Sequence, residues 1–206
     1  NIAIGMDALT TEDTGSRSVA IGTNALFNQN YDGDAYNIAI GMNAGSQVTT
    51  GVQNTIIGGL AGDALTIGTD NVAVGYLSLS TEDGHGRNVA IGKASLRNLD
   101  AGADAYNVAV GFEAGTAVTT GIYNTLIGGE AAITLTTGEK NTAFGYRALY
   151  SNADGDNNTA IGYRALYSMD PSGNADMYNV AVGHDAGLSV TTGAYNTIIG
   201  GLAGDA

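Results

Sequence analysis

A five-residue phrase, plainest as Asn158-Thr159-Ala160-Ile161-Gly162, recurs from the first residue almost to the last. Its copies start at Asn1, Ser18, Asn37, Asn54, Asn71, Asn88, Asn107, Asn124, Asn141, Asn158, Asn179 and Asn196, a spacing of 17 residues with insertions of two or four. A repeat this short cannot bury its own apolar face and must stack on its neighbours, so the period dictates a solenoid. The chain of 206 residues is therefore read as one elongated domain, 1–206, because a repeat that never stops leaves no place for separate cores.

Side chains in an extended segment alternate between two faces. Positions 2 and 4 of the phrase are mostly β-favouring, as in Val19 and Ile21 or Val72 and Val74, and are expected to fill the interior of the coil. Position 3 points the other way and is Ala in nine copies and a bulky aliphatic residue in three. A strand apolar on both faces needs cover on both, and small residues allow close approach, so self-association is expected. The candidate inter-chain face is Ala39, Ile57, Ala73, Ala90, Ala109, Leu126, Ala143 and Ala160.

Position 5 is Gly in every copy, where the strand must turn a corner: Gly22, Gly41, Gly58, Gly75, Gly92, Gly111, Gly128, Gly145, Gly162 and Gly183, with Gly5 and Gly200 at the ends. Ala or Ser three residues later is expected to open a second short strand, and Gly fourteen residues after the phrase start closes it in seven coils, among them Gly15, Gly51, Gly121 and Gly155. The expected fold is thus all-β, a parallel β-roll or solenoid of about 17 residues and two short strands per coil. A longer period rides on this one. Coils fall into sets of four spanning 70 to 72 residues; two carry Ala-Gly after the corner, as in Ala44-Gly45 and Ala61-Gly62, and two carry Leu, as in Leu79 and Leu96. The second coil pairs a doubled glycine with the bulky third residue, an expected compensation within one packing layer. Insertions fall only at the end of the fourth coil, in 32–36, 100–106 and 170–178, and are expected to project as loops on one side.

Composition narrows the function. A net charge of −13 argues against nucleic acid or an anionic membrane surface as partner. No run approaches the roughly 18 apolar residues of a membrane-spanning helix, and the absence of cysteine rules out a disulfide framework. The chain opens on a complete phrase and stops inside another, so it reads as a segment of a longer protein.

Catalytic constellations are not apparent, and no enzyme is expected: His184 stands where sister coils carry Tyr146, Tyr163, Phe112 and Met42, and His85 lies in the turn Asp83-Gly84-His85-Gly86. Glycine-rich runs such as 58–62 lack the Lys-Ser/Thr of a phosphate loop, so no cofactor is expected. Asp32, Asp34, Asp154 and Asp156 are weak candidates for calcium, since Asp and Gly are also what turns prefer. Tyr36, Tyr106 and Tyr178 close the insertions and are candidates for stacking on sugars or on one another. The pairs Thr49-Thr50, Thr119-Thr120 and Thr191-Thr192 raise an ice-binding solenoid, but recur only every fourth coil and make no continuous array.

Asn88-Val89-Ala90-Ile91-Gly92, and more closely Ser18-Val19-Ala20-Ile21-Gly22, resembles the signature of the β-roll heads of trimeric autotransporter adhesins. The run from Asn141 to Ser151, echoed from Asn158 to Ser168, resembles repeats of phage tail fibres. The resemblance spans essentially the whole chain and implies a left-handed coil in a homotrimer; the coil here is longer than is usual in adhesin heads, which favours the fibre. It implies an extracellular location, on a virion tail fibre or a bacterial cell surface, and a structural and adhesive role: spacing and presenting loops to a host glycan or protein. An autotransporter adhesin head is the alternative, with a carbohydrate-binding solenoid behind it.

Overall fold

The computed structural model describes residues 1–171 and 173–205; Ser172, inside the third insertion, and Ala206 lie outside them. Each phrase forms a three-residue strand: β1 (Ile2–Ile4), β2 (Val19–Ile21), β3 (Ile38–Ile40), β4 (Thr55–Ile57), β5 (Val72–Val74), β6 (Val89–Ile91) and β7 (Val108–Val110). The series continues as β8 (Thr125–Ile127), β9 (Thr142–Phe144), β11 (Thr159–Ile161), β13 (Val180–Val182) and β14 (Thr197–Ile199), while β10 (Gly155–Asp156) and β12 (Ala175–Asp176) form a separate parallel pair. The twelve phrase strands make one parallel sheet in chain order, each paired in register with the next, as in Val89↔Val108, Ala90↔Ala109 and Ile91↔Val110. The protein is an all-β parallel solenoid of about 17 residues per turn, without a helix among the described residues. At one strand spacing per coil, twelve coils span roughly 55–60 Å.

The two faces of the strand are the reverse of the expectation. Position 3 is the core: Ala39, Ala73, Ala90, Ala109, Leu126, Ala143 and Ala160 are all fully buried inside their own coil. Positions 2 and 4 face outward, and Ile57, named for the inter-chain face, is a position-4 residue partly exposed on that outer side, while its neighbour Ile56 is buried. The physical reason lies at position 1, which shares a face with position 3. The Asn there turns inward and in most coils its Nδ2 donates to the carbonyl fourteen residues on in the same coil, as in Asn37 to Gly51 (2.7 Å), Asn107 to Gly121 (2.8 Å) and Asn141 to Gly155 (2.8 Å), whereas Asn88 and Asn158 donate to the carbonyl two residues back. Its Oδ1 accepts the backbone amide of the Asn one coil on, as in Asn124 Oδ1 from Asn141 (2.9 Å). Nine Asn side chains, from Asn37 to Asn179 along this row, are buried to within 1 %; so long a polar ladder is stable only when its members are hydrogen-bonded. With the Asn row inside, position 3 must be inside too, and a wall so close to the opposite side accepts little more than a methyl group.

Ser18 is the one break in this row, and Gln29 bridges it. Gln29 Nε2 donates to Ser18 Oγ (3.0 Å) while its Oε1 accepts from Asn37 Nδ2 (2.9 Å).

Among the described residues the second short strand, expected to open three residues after the corner, is absent. The segment after the corner runs through successive turns, with left-handed backbone at positions 7 and 9 of each coil, as at Asn24 and Leu26 or Arg147 and Leu149. It still stacks, because the position-7 amide reaches back one coil (Asn24 to Met6 O, 3.0 Å) and the position-9 amide reaches forward (Leu26 to Ala44 O, 3.1 Å). Alternating left-handed residues turn consecutive amides to opposite neighbours, a job that an extended strand does differently. The corner glycines are as required: at Gly41 φ is 137°, and a Cβ there would lie 2.5 Å from the carbonyl oxygen of Gly58.

The expected compensation exists, through different glycines. A Cβ on Gly45 would meet Ile56 Cδ1 at 2.9 Å, and one on Gly115 would meet Leu126 Cδ1 at 2.6 Å, so the bulky third residue fills the space left by Gly at position 9. The doubled glycines Gly59 and Gly129 lie instead beside the rings of Tyr76 and Tyr146. Insertions tuck in as well as project. Ala35, Ala105 and Met177 are buried and β10 pairs with β12, while Gly102 and Gly173 stand clear of any neighbour.

Candidate functional site

The outer face of the twelve-stranded sheet is the most unusual surface of the molecule. Its residues are the Val, Ile, Thr and Phe side chains of positions 2 and 4, and not one of these 24 positions is charged, in a chain with 20 acidic and 7 basic residues. Even between flanking coils Ile38, Ile91, Phe144 and Ile161 are 37 to 52 % exposed. A strip about 53 Å long and about 10 Å wide covers roughly 500 Å², at the upper end of the largest apolar patch on an ordinary monomer.

Aromatic rows run along both ends of these strands. Position 6, just past the glycine corner, carries Met42, Tyr76, Phe112, Tyr146 and Tyr163, all exposed. Tyr146 stacks on Tyr163 (5.6 Å between ring centres) and Tyr163 on His184 (5.0 Å). The next position adds ion pairs between coils: Glu130 with Arg147 (2.8 Å) and Arg164 with Asp185, a bidentate pair at 2.8 and 2.6 Å. Arg164 holds the Asp185 carboxyl below the usual carboxylate range. Just before the phrase, in left-handed backbone, the row includes Tyr36, Tyr106, Tyr123, Tyr178 and Tyr195. Tyr106 stacks on Tyr123 (5.6 Å) and Tyr178 on Tyr195 (5.5 Å), while the guanidinium groups of Arg17 and Arg87 lie over Tyr36 and Tyr106. The three tyrosines named from the sequence are each about half exposed and each partnered within the chain, the arrangement of cross-coil packing.

The four candidate calcium ligands are not brought together. Asp32 accepts from Thr14 (2.5 Å), and Asp34 accepts from Ser16 and pairs with Arg17. Asp154 accepts from the Thr136 and Thr137 hydroxyls (2.6 and 2.8 Å), which hold its carboxyl below the usual range. Asp156 accepts the Glu139 amide (2.7 Å), and burial pushes its carboxyl up. Each is an acceptor for a turn or a neighbouring coil. A shallow depression lined by Asn24, Phe27, Asn43, Ser46 and Gln47 holds no ionisable side chain. No helix among the described residues is long and apolar enough to cross a membrane.

Sequence reasoning missed two features, the Asn ladder and the outward face of positions 2 and 4. The signal for both was the Asn that opens eleven of the twelve phrases. Comparison with protein-family models, with curated proteins and with solved structures found no match.

Proposed function

We propose that this solenoid is a structural and adhesive segment of a self-associating extracellular fibre, in which copies of the chain pack through the outer faces of their sheets and present the insertions to a surface. The observation that carries this reading is the uncharged Val/Ile/Thr strip on a chain of net charge −13. A solvated strand face in such a chain would be expected to carry charge, and one long apolar strip exposed alone is an aggregation hazard. A homotrimer of left-handed coils about one axis, as the sequence resemblance implies, would shield all three strips at once, and a second copy is the occupant whose uncharged face matches by construction. The regular stacking suits a rigid spacer: insertions recur every four coils, roughly 19 Å apart. Weak contacts at three copies of each loop would add through multivalency. A phage tail fibre is the leading reading and a bacterial trimeric autotransporter adhesin head the alternative.

Sedimentation of the wild-type chain at micromolar concentration is expected to give a trimer, and Ile91→Asp with Val110→Asp is expected to give monomers. A wild-type monomer that is still fully β-structured overturns the assembly. Surface attachment is tested separately, by binding to bacterial surface polysaccharides.

A further inference from the structure

Position 12 points into the core in nine consecutive coils, and its occupants change in step with the four-coil period. The buried row reads Gln29, Val48, Leu65, Glu82, Leu99, Val118, Leu135, Asn152 and Met169. In the coil that opens at Asn1, Asn71 or Asn141 the residue is polar, and in each case it caps its own turn. Glu12 accepts the amide of Gly15 (2.6 Å), Glu82 that of His85 (3.1 Å) and Asn152 that of Gly155 (2.9 Å).

The three copies differ in what else the side chain meets. Glu12 has its second oxygen on Gln29 Nε2 (2.9 Å), one coil along the row. Asn152 is neutral, and its amide donates to Gly155 (2.9 Å). Glu82 has neither remedy. Its neighbours in the row are Leu65 and Leu99, both fully buried, so the place of Gln29 is taken by an aliphatic side chain. Glu82 is itself fully buried, and its Oε2 has no hydrogen-bond partner. A buried carboxylate left this way is costly unless something cationic or a proton meets it. The same coil carries the second departure. Where the sisters have Gly15 and Gly155, this one has His85, whose Nδ1 is buried, has no hydrogen-bond partner and lies 3.4 Å from Glu82 Oε1. Asp83 brings a third ligand, with atoms of all three residues within 4.8 Å of one another.

We propose that Glu82, Asp83 and His85 form a binding site for one divalent transition-metal ion of the zinc class. Imidazole nitrogen with carboxylate oxygens is a donor set for such an ion rather than for calcium. Two ligands about 2.0–2.2 Å from a tetrahedral ion stand about 3.3–3.6 Å apart, and His85 Nδ1 lies 3.4 Å from Glu82 Oε1. The ion would take up the orphaned His85 Nδ1, neutralise the buried carboxylate whose Oε2 is unpartnered, and tie the turn before the phrase at Asn88 to the core. Neither sister copy has the set, so among the described residues the site is single and belongs to the middle of the chain.

The test is calorimetric titration of the whole chain with Zn²⁺. Wild type is expected to take up one ion per chain, with a rise in melting temperature. His85→Gly installs the residue of the sister coils, so the turn is known to accept it; Leu99→Gln gives Glu82 the amide that Gln29 gives Glu12. Both are expected to weaken Zn²⁺ binding by at least about tenfold, with circular dichroism unchanged, and Leu99→Gln is expected to raise the melting temperature without metal. His184→Asn, the other histidine, is expected to bind as wild type. No saturable uptake, or equal uptake by wild type and His85→Gly, overturns the site and leaves an ordinary Glu82–His85 ion pair.

Discussion

Replacing Asn124 with alanine tests the interior ladder at mid-chain. The side chain makes two buried hydrogen bonds: Nδ2 donates to Gly138 O (2.9 Å) and Oδ1 accepts the Asn141 amide (2.9 Å). Alanine leaves that carbonyl and that N–H inside the coil without partners, at about 1–3 kcal/mol each, so the expected loss is about 2–6 kcal/mol. Serine is not a remedy by itself. Ser18 is accommodated because Gln29, eleven residues later in its coil, spans the gap to Asn37, whereas the residue eleven after Asn124 is Leu135. Asn124→Ser is therefore expected to behave nearly as alanine, and the double change Asn124→Ser with Leu135→Gln to recover part of the loss. Urea unfolding measures the stability and hydrogen exchange at Asn141 reports the bond itself. An alanine variant within about 0.5 kcal/mol of wild type, with the Asn141 amide still protected, would refute the claim that the ladder holds coil to coil.

Gly41→Ala should destabilise by about 3 kcal/mol or more, because its φ is 137° and the added methyl would lie 2.5 Å from Gly58 O; urea denaturation checks this. Gly115→Ala should cost about 1–3 kcal/mol by overpacking, since the new Cβ would fall 2.6 Å from Leu126 Cδ1. A double-mutant cycle with Leu126→Ala should then show favourable coupling, and strict additivity would contradict the packing argument. The Asp185 carboxyl is held low by Arg164 in the folded chain. Its contribution is present above the unfolded value of about 3.9 and fades as pH falls through the lower folded value. Wild type should therefore exceed Asp185→Asn in melting temperature at neutral pH and converge with it in acid; a constant difference down to pH 2, well below about 3.9, would argue against the pairing.

The 17-residue period by itself required stacked coils, because no coil can bury its apolar residues alone, and the glycine at every fifth position located the corners. The pairing of a bulky third residue with a missing side chain was likewise legible as a need for compensation, although only the coil cross-section shows that Gly45 faces Ile56 and Gly115 faces Leu126. Tertiary structure decided which way the strand faces. Hydrophobicity alone favours Ile and Val as the interior and Ala as the contact surface, and both faces of the phrase are apolar enough to permit it. The Asn side chain breaks the tie, since it must reach a carbonyl fourteen residues away across the coil, and that reach exists only once the chain has closed on itself. Glu82 follows the same logic. As one acid in a turn it is unremarked; its lack of a partner arises from Leu65 and Leu99, 17 residues to either side, which only stacking makes its neighbours.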